Sequence, residues 1–419
     1  MAKIFHAHLH GDRETKYDRL MESDISNTAW SEISPQTPFY LLIPQDTQLL
    51  KEYDRGWKIT EIMPVNVLGF QTHRDHFAVD FDRETLQQKI LEMRNDSISD
   101  HEYAEKYEVK DNSSWKIREV RKKIRSDSEW KRHLISCSYR PFDNRSCYFS
   151  EIAMDRPRRE LMDHVVNREN LCLLSSRQQA TLGYRHCWVT DVPANDCVIS
   201  TTSREANQAF PLYLYFSTDN SQKSTLEEQR RPNLSQPFLN DITAKLGYTP
   251  TPEAIFHYIY AIFHSPTYRT RYAEFLKIDF PRVPLTRNDT LFRQLATYGE
   301  QLVALHLMKS TKLEQTHQHP QFVQQGGNCI VDPAHPKYEI NTRSVIINKK
   351  GDRFTDIPQA VWNFYVGGYP VCAKWLKDRK GRTLSPQDIT HYQQIVVALD
   401  ETIKLMTAID QAIPGFPIK

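Results

Sequence analysis

The stretch Thr251-Pro252-Glu253-Ala254-Ile255-Phe256-His257-Tyr258-Ile259-Tyr260-Ala261-Ile262-Phe263-His264 reads as a single helix. Threonine supplies an N-cap. Proline takes the first helical position, where its missing N–H costs nothing, and glutamate puts an acid in the first turn. Ile255, Tyr258, Ile259, Ile262 and Phe263 recur at helical spacing, so one face is apolar and must be covered. Ser265-Pro266 restarts a helix through Leu276, and Leu291 to Met308 reads as a third. Ser385-Pro386 opens the longest, with Ile389, Tyr392, Val396, Leu399, Ile403, Met406 and Ile409 in one stripe. Between the third and the last, residues 320–370 read as loops and strands, including Val345-Ile346-Ile347-Asn348.

Upstream the pattern changes. From 134 to 216 short apolar runs alternate with Asn, Asp, Pro and Gly: Leu171–Leu174, Cys187–Thr190, Cys197–Ile199 and Leu212–Phe216. Such runs predict strands joined by long loops. Residues 217–237 are polar and read as a linker or exposed loop. Residues 1–113 look mixed, with strand candidates Phe39–Ile43 and Phe77–Phe81 and a helix over Glu84–Met93; a basic helix follows over 114–132. The expected fold class is α/β (α+β): a mixed sheet with long loops, then a mostly helical C-terminal body. The expected segments are 1–113, 114–240 and 241–419.

With 39% hydrophobic and 11% aromatic residues, the chain has the material for packed cores. No run of 18 apolar residues and no long apolar N-terminal region is present, so neither a membrane partner nor a secretory leader is expected. Seven cysteines, an odd number without a CxxC, suit reduced thiols in the cytoplasm. The net charge of +2 is uninformative, but its distribution is not. From Trp115 to Arg132 eight Lys/Arg face three acids, and Lys374, Lys377, Arg379, Lys380 and Arg382 form a second cluster. A polyanion surface and a solvated helix face both fit such clusters.

Several chemistries lack their motifs. There is no GxxxxGK[ST] phosphate loop, no GxGxxG, no HExxH and no GxSxG. No Asn-Pro-Pro-aromatic loop is present to hold the amino group of a flipped base. The Gly-Gly pairs at 326 and 367 read as turns. No catalytic residue is assigned. His6, His8 and His10 alternate and would share one face of a strand; an HxH pair can begin a metal site, or the face can simply be solvated. His317 and His319 lie in a polar stretch. No metal is expected at these positions.

Two segments carry side chains suited to nucleic acid. Tyr139-Arg140-Pro141-Phe142-Asp143-Asn144-Arg145 places two arginines around a Pro-Phe-Asp turn; they could clamp phosphate or read guanine, or Asp143 could pair with one internally. Ser175–Thr181 follows a strand candidate, and Arg177, Gln178 and Gln179 have the donors and acceptors to read guanine and adenine. Arg140, Arg145, Arg177, Gln178 and Gln179 are therefore the candidate DNA contacts, with Lys122 and Arg125 as phosphate contacts.

Trp57–Asn66, Gly69–Asp75, Tyr139–Arg145, Phe210–Tyr215, Ile255–Arg269, Asp279–Pro284, Val361–Phe364, Gly367–Val371 and Lys374–Arg382 together resemble the C-terminal specificity region of Type ISP restriction–modification enzymes. They run in family order over nearly the whole chain. The resemblance implies DNA target recognition, with base-reading loops in 114–240 and helices behind them. It also implies a longer parent that joins a nuclease, an ATP-driven translocase and an adenine-N6 methyltransferase. Double-stranded DNA and the methyltransferase and translocase domains are the implied partners. S-adenosylmethionine, ATP and Mg are implied for the parent, and no cofactor for this chain, which would begin downstream of the methyltransferase motifs. Residues 1–113 would be the tail of that region or the join to it. The competing readings are a metal-dependent hydrolase or nuclease around His6, His8 and His10, and a docking module for a separate methyltransferase subunit.

Overall fold

The computed structural model describes residues 3–37, 40–44, 48–113, 115–181, 183–216, 230–315 and 320–418. They divide into two compact units, Met1–Lys51 and Glu52–Lys419. In the first, strand Ile4–His6 pairs antiparallel with Ser31–Ile33. Helix Arg13–Glu22 is capped by Asp12, whose carboxylate accepts from the Thr15 N–H at 2.9 Å, and buries none of its side chains. The strand expected at Phe39–Ile43 does not form in its described part, 40–43. Tyr40 takes φ 46, which breaks an extended run, and among the described residues no strand pairs with it.

The second unit is built on small antiparallel sheets. The main one has the order Val67–Leu68, Asn207–Pro211, Cys172–Ser176, Cys187–Thr190. Cys172–Ser176 and Cys187–Thr190 are buried at every position, which is why they read as continuous apolar runs without alternation. A three-stranded sheet joins Val79–Asp80, Asp143–Tyr148 and Leu134–Arg140. The stretch 52–113 is thus woven into strands that follow it by 60 to 230 residues, since Trp57–Lys58 also pairs with Arg282–Val283. Of the expected strand Phe77–Phe81, only Val79–Asp80 is extended; Asp75–Ala78 closes one helical turn before it. Cys197–Ile199 is a turn, not a strand. The Asn195 and Asn207 side chains accept from the N–H groups of Cys197 (2.9 Å) and Ile199 (3.2 Å), which a strand would give to a neighbour.

Within the expected linker, 217–229 lie outside the described residues. Arg230–Pro232 pairs with Tyr213–Tyr215, and Gln236 already starts a helix. Helices Pro252–His264, Asp289–His306 and Pro386–Ala412 then form a layer, the first beginning and ending where the sequence places it. The first two approach so closely that a Cβ on Gly299 would lie 1.8 Å from the His257 carbonyl oxygen. The layer meets the main sheet where the His306 ring stacks on Trp188, centroids 4.5 Å apart. A four-stranded antiparallel sheet fills part of 320–370, with Ser344–Ile346 inside it. Among the described residues no helix is long and apolar enough to cross a membrane.

Candidate nucleic-acid interface

The basic stretch after Trp115 resolves into helix Ile117–Ser126 and a short 3-10 turn, Trp130–His133. Its cations do different jobs. Arg121 is buried and its guanidinium donates to the carbonyls of Met93, Asn95 and Ile98 and to Asp100. These carbonyls lie at and just past the end of helix Arg83–Arg94, where a helix leaves acceptors unpaired. Arg94 returns the favour, donating to the carbonyls of Ile124, Arg125 and Asp127. Arg125 pairs with Asp96 at 2.7 Å. Lys122 is exposed, with no ion pair among the described residues.

The Tyr139–Arg145 turn folds inward. Asp143 is 2% exposed and accepts from Arg145 through two bonds of 2.9 and 2.8 Å, and from Arg379 at 2.8 Å. Burial alone would raise its carboxyl; the two guanidiniums outweigh that and hold it below the usual range. Arg145 also lies 4.0 Å from the ring centroids of both Phe81 and Tyr139. Arg140 is 9% exposed, 4.1 Å from the Tyr139 ring and 5.6 Å from that of Tyr369. Arg379, counted in the second basic cluster, is buried like Arg140 and lies over Trp375.

The Arg177–Gln179 loop turns outward. Arg177 and Gln178 are exposed at the end of strand Cys172–Ser176. Arg177 touches Asp279 at 3.3 Å, an exposed pair of the weak kind. Gln179 is spent on holding the loop: its amide donates to Leu276 (2.6 Å), and its backbone N–H to Lys277 (3.1 Å).

Beneath this loop sits a residue that composition and motif gave no reason to single out. Glu205 is fully buried. One carboxylate oxygen accepts from the N–H of Ala180 (2.7 Å), the N–H of Thr181 (2.8 Å) and the Thr181 hydroxyl (2.9 Å), and lies 3.3 Å from His186 Nε2. The other accepts from the Ser200 hydroxyl at 2.6 Å. Burial would raise the Glu205 carboxyl, but Ser200, the two N–H groups and His186 bring it down to about 2. Burial keeps His186 below its usual value. One carboxylate therefore ties loop 177–186 to loop 200–205.

A third loop docks on these two. The expected turn at Gly367-Gly368 joins strands Tyr365–Val366 and Tyr369–Pro370. The Gly367 N–H donates to Arg185 (2.7 Å), the Gly368 N–H to Ile199 (3.1 Å), and the Tyr369 hydroxyl to Cys197 (2.9 Å). Gly367 has φ 52, and a Cβ there would meet the Ile199 side chain at 2.1 Å, so only glycine lets the loops touch. The outer surface of this three-loop ridge exposes Arg177, Gln178, Arg185, Thr202, Arg204 and Tyr365. The ridge offers planar donors and an aromatic face over a rigid base, with its acid hidden. Of the candidates from sequence, only Arg177, Gln178 and Gln179 belong to it.

In the first unit, only His6 lies on the strand; His8 and His10 follow it with their rings stacked, centroids 4.6 Å apart. His317 and His319 are outside the described residues. Among the described residues no group of three or more His, Cys, Asp or Glu is placed to hold a metal.

Residues 61–408 match the family model of the Type ISP C-terminal specificity domain, and the chain belongs to that family. No curated protein gives a significant match. The fold is similar to that of three solved structures. A nuclease-deletion mutant of the Type ISP restriction–modification enzyme LlaGI, in complex with a DNA substrate mimic, aligns with TM-score 0.67 and 19% identity, over 97% of this chain and 32% of that one. DrdV in its DNA complex aligns with TM-score 0.70 and 18% identity, over 95% and 42%. The ATP-dependent Type ISP enzyme LlaBIII bound to DNA aligns with TM-score 0.67 and 18% identity, over 93% and 26%. The chain thus spans between a quarter and under half of the length of these relatives.

Proposed function

We propose that this chain reads the sequence of double-stranded DNA on behalf of a longer Type ISP restriction–modification polypeptide. The observation that carries the reading is the three-loop ridge, where a buried glutamate fixes the backbone and leaves Arg177, Gln178 and Arg204 exposed. Bidentate contacts from such side chains distinguish bases, while cations such as Lys122 and Arg125 set position on the phosphates without reading sequence. Arg140 and Arg145 would act from behind, by holding the turn that packs under the ridge through Tyr369. The family membership supports the role, and the DNA-bound state of the structural neighbours is consistent with it.

Adenine-N6 methylation, ATP-driven translocation and cleavage would belong to other domains of the polypeptide. S-adenosylmethionine, ATP and Mg would be held there, since this sequence has no motif for them. The purified chain is to be offered a pool of duplexes with a randomised core, and the bound fraction sequenced. Enrichment of one site is expected. Arg177→Ala and Gln178→Ala should each lose about 1–3 kcal/mol on that site and little on scrambled duplex. Binding without any sequence preference would overturn the reading.

A further inference from the structure

We infer that Arg185, seated on Tyr365, reads a guanine in the major groove and fixes one G·C pair of the recognised site. The inference rests on the DNA-recognition reading above and names a specificity-determining residue within it.

The backbone of Arg185 is held on three sides. Its neighbours Tyr184 and His186 are 2% and 0% exposed. His186 faces the pinned Glu205 carboxylate at 3.3 Å, and Tyr184 faces the Ser175 hydroxyl at 3.4 Å. The Arg185 carbonyl accepts the Gly367 N–H at 2.7 Å. Its side chain is exposed, with the guanidinium carbon 4.9 Å from the centroid of the exposed Tyr365 ring.

What the guanidinium lacks matters as much. Among the described residues it makes no ion pair, whereas Arg145 and Arg379 share Asp143, Arg140 is buried against the Tyr139 and Tyr369 rings, and Arg177 has Asp279 beside it. A guanidinium held against a ring in this way keeps N–H donors that the ring does not use. A guanidinium so pre-oriented loses less freedom on binding than a mobile lysine would. Its acceptor must offer two oxygens or nitrogens in one plane. In DNA these are guanine O6 with N7 or a phosphate, and only the first carries sequence. The position on the ridge, between the Arg177–Gln178 loop and the Gly367 turn, favours the base: the same rigid platform already carries side chains of base-reading type.

The test uses the full chain with Arg185→Ala, Arg185→Lys and Tyr365→Leu. Each is selected against the randomised duplex pool at two salt concentrations, with thermal unfolding as the control for folding. Both Arg185 variants should lose preference for G·C at one position by about 10- to 100-fold and keep the preferences elsewhere. Tyr365→Leu should weaken the same position and no other. If the wild-type chain selects a site and Arg185→Ala keeps every preference, the inference fails and the DNA reading stands. Uniform weakening with a salt slope shallower by about one unit would make Arg185 a phosphate contact and overturn the inference as well. A wild-type chain with no preference at any position would remove both.

Discussion

The Tyr139–Arg145 turn and the three-loop ridge are each organised by one buried acid, yet they spend it differently. Asp143 is satisfied by side-chain cations, Arg145 and Arg379. Glu205 is satisfied mainly by backbone N–H groups and hydroxyls, from Ala180, Thr181 and Ser200. The first arrangement consumes arginines and makes a joint. The second consumes peptide donors that the loops had to satisfy anyway, so Arg177, Arg185 and Arg204 stay outside. An arginine-rich segment therefore says little about binding until the partners of its carboxylates are known.

The sharpest way to break this contrast is to remove each acid. Asp143→Ala would take from Arg145 and Arg379 the buried carboxylate they hydrogen-bond, leaving them only the longer contacts to Asp378 (3.7 Å) and Asp388 (3.5 Å), and losing one partner of a buried pair costs about 3–5 kcal/mol. Arg177→Ala, at the exposed rim, should stay within about 0.5 kcal/mol of the wild type. Urea unfolding of the two variants measures both. A loss below about 1 kcal/mol for Asp143→Ala would mean that the turn's arginines are not committed internally and are free to meet DNA.

Glu205→Gln should cost less, about 1–3 kcal/mol, because an amide still accepts some of the same N–H bonds. Its signature is in the pH dependence. The folded carboxyl sits at about 2, below its usual 4.5, so its stabilisation is present above pH 4.5 and drains as pH falls towards 2. His186 is held below its usual 6.5 by burial, so the unfolded chain takes up its proton first and stability falls in the same direction below that pH. Unfolding measured from pH 7 downward should show a shallower acid limb in Glu205→Gln than in the wild type. Parallel limbs would show that Glu205 does not carry the ridge's acid sensitivity.

Much of the helical half was legible, for a physical reason. Pro252–His264 and Pro386–Ala412 declare themselves through caps, proline at the start and an apolar stripe, all local signals. Cys187–Thr190 was legible as a buried run. Cys197–Ile199 was not, because Asn195 and Asn207 take the N–H groups a strand would have used, and one of these partners lies eight residues from the N–H it accepts. The ridge was half legible. Arg177 and Gln178 could be picked by chemistry, but Arg185, Arg204 and Tyr365 join them only through contacts among 177–186, 200–205 and 363–370. The Gly367-Gly368 turn within the family-like segment was the one local clue.

The smallest expected effect concerns the basic helix, and it tests whether the same accounting holds away from the ridge. By charge, Lys122 and Arg125 looked equivalent; by geometry they are not. Arg125 spends a 2.7 Å contact on Asp96, and Lys122 has no ion pair among the described residues. Each phosphate contact releases counterions, so losing one should shallow the dependence of log affinity on log salt by about 0.9 unit, whatever the duplex sequence. Lys122→Ala should show that change in full. Arg125→Ala should show less, because its charge is already partly neutralised by Asp96. Both should leave site preference untouched, in contrast to Arg177→Ala. Equal slopes for wild type and both variants would move the phosphate contacts off this helix, and exposed Lys377, Lys380 and Arg382 of the second cluster would be the next cations to remove. A larger effect from Arg125 than from Lys122 would mean that the Asp96 pair opens on DNA, so that a surface ion pair holds the cation in reserve and does not consume it.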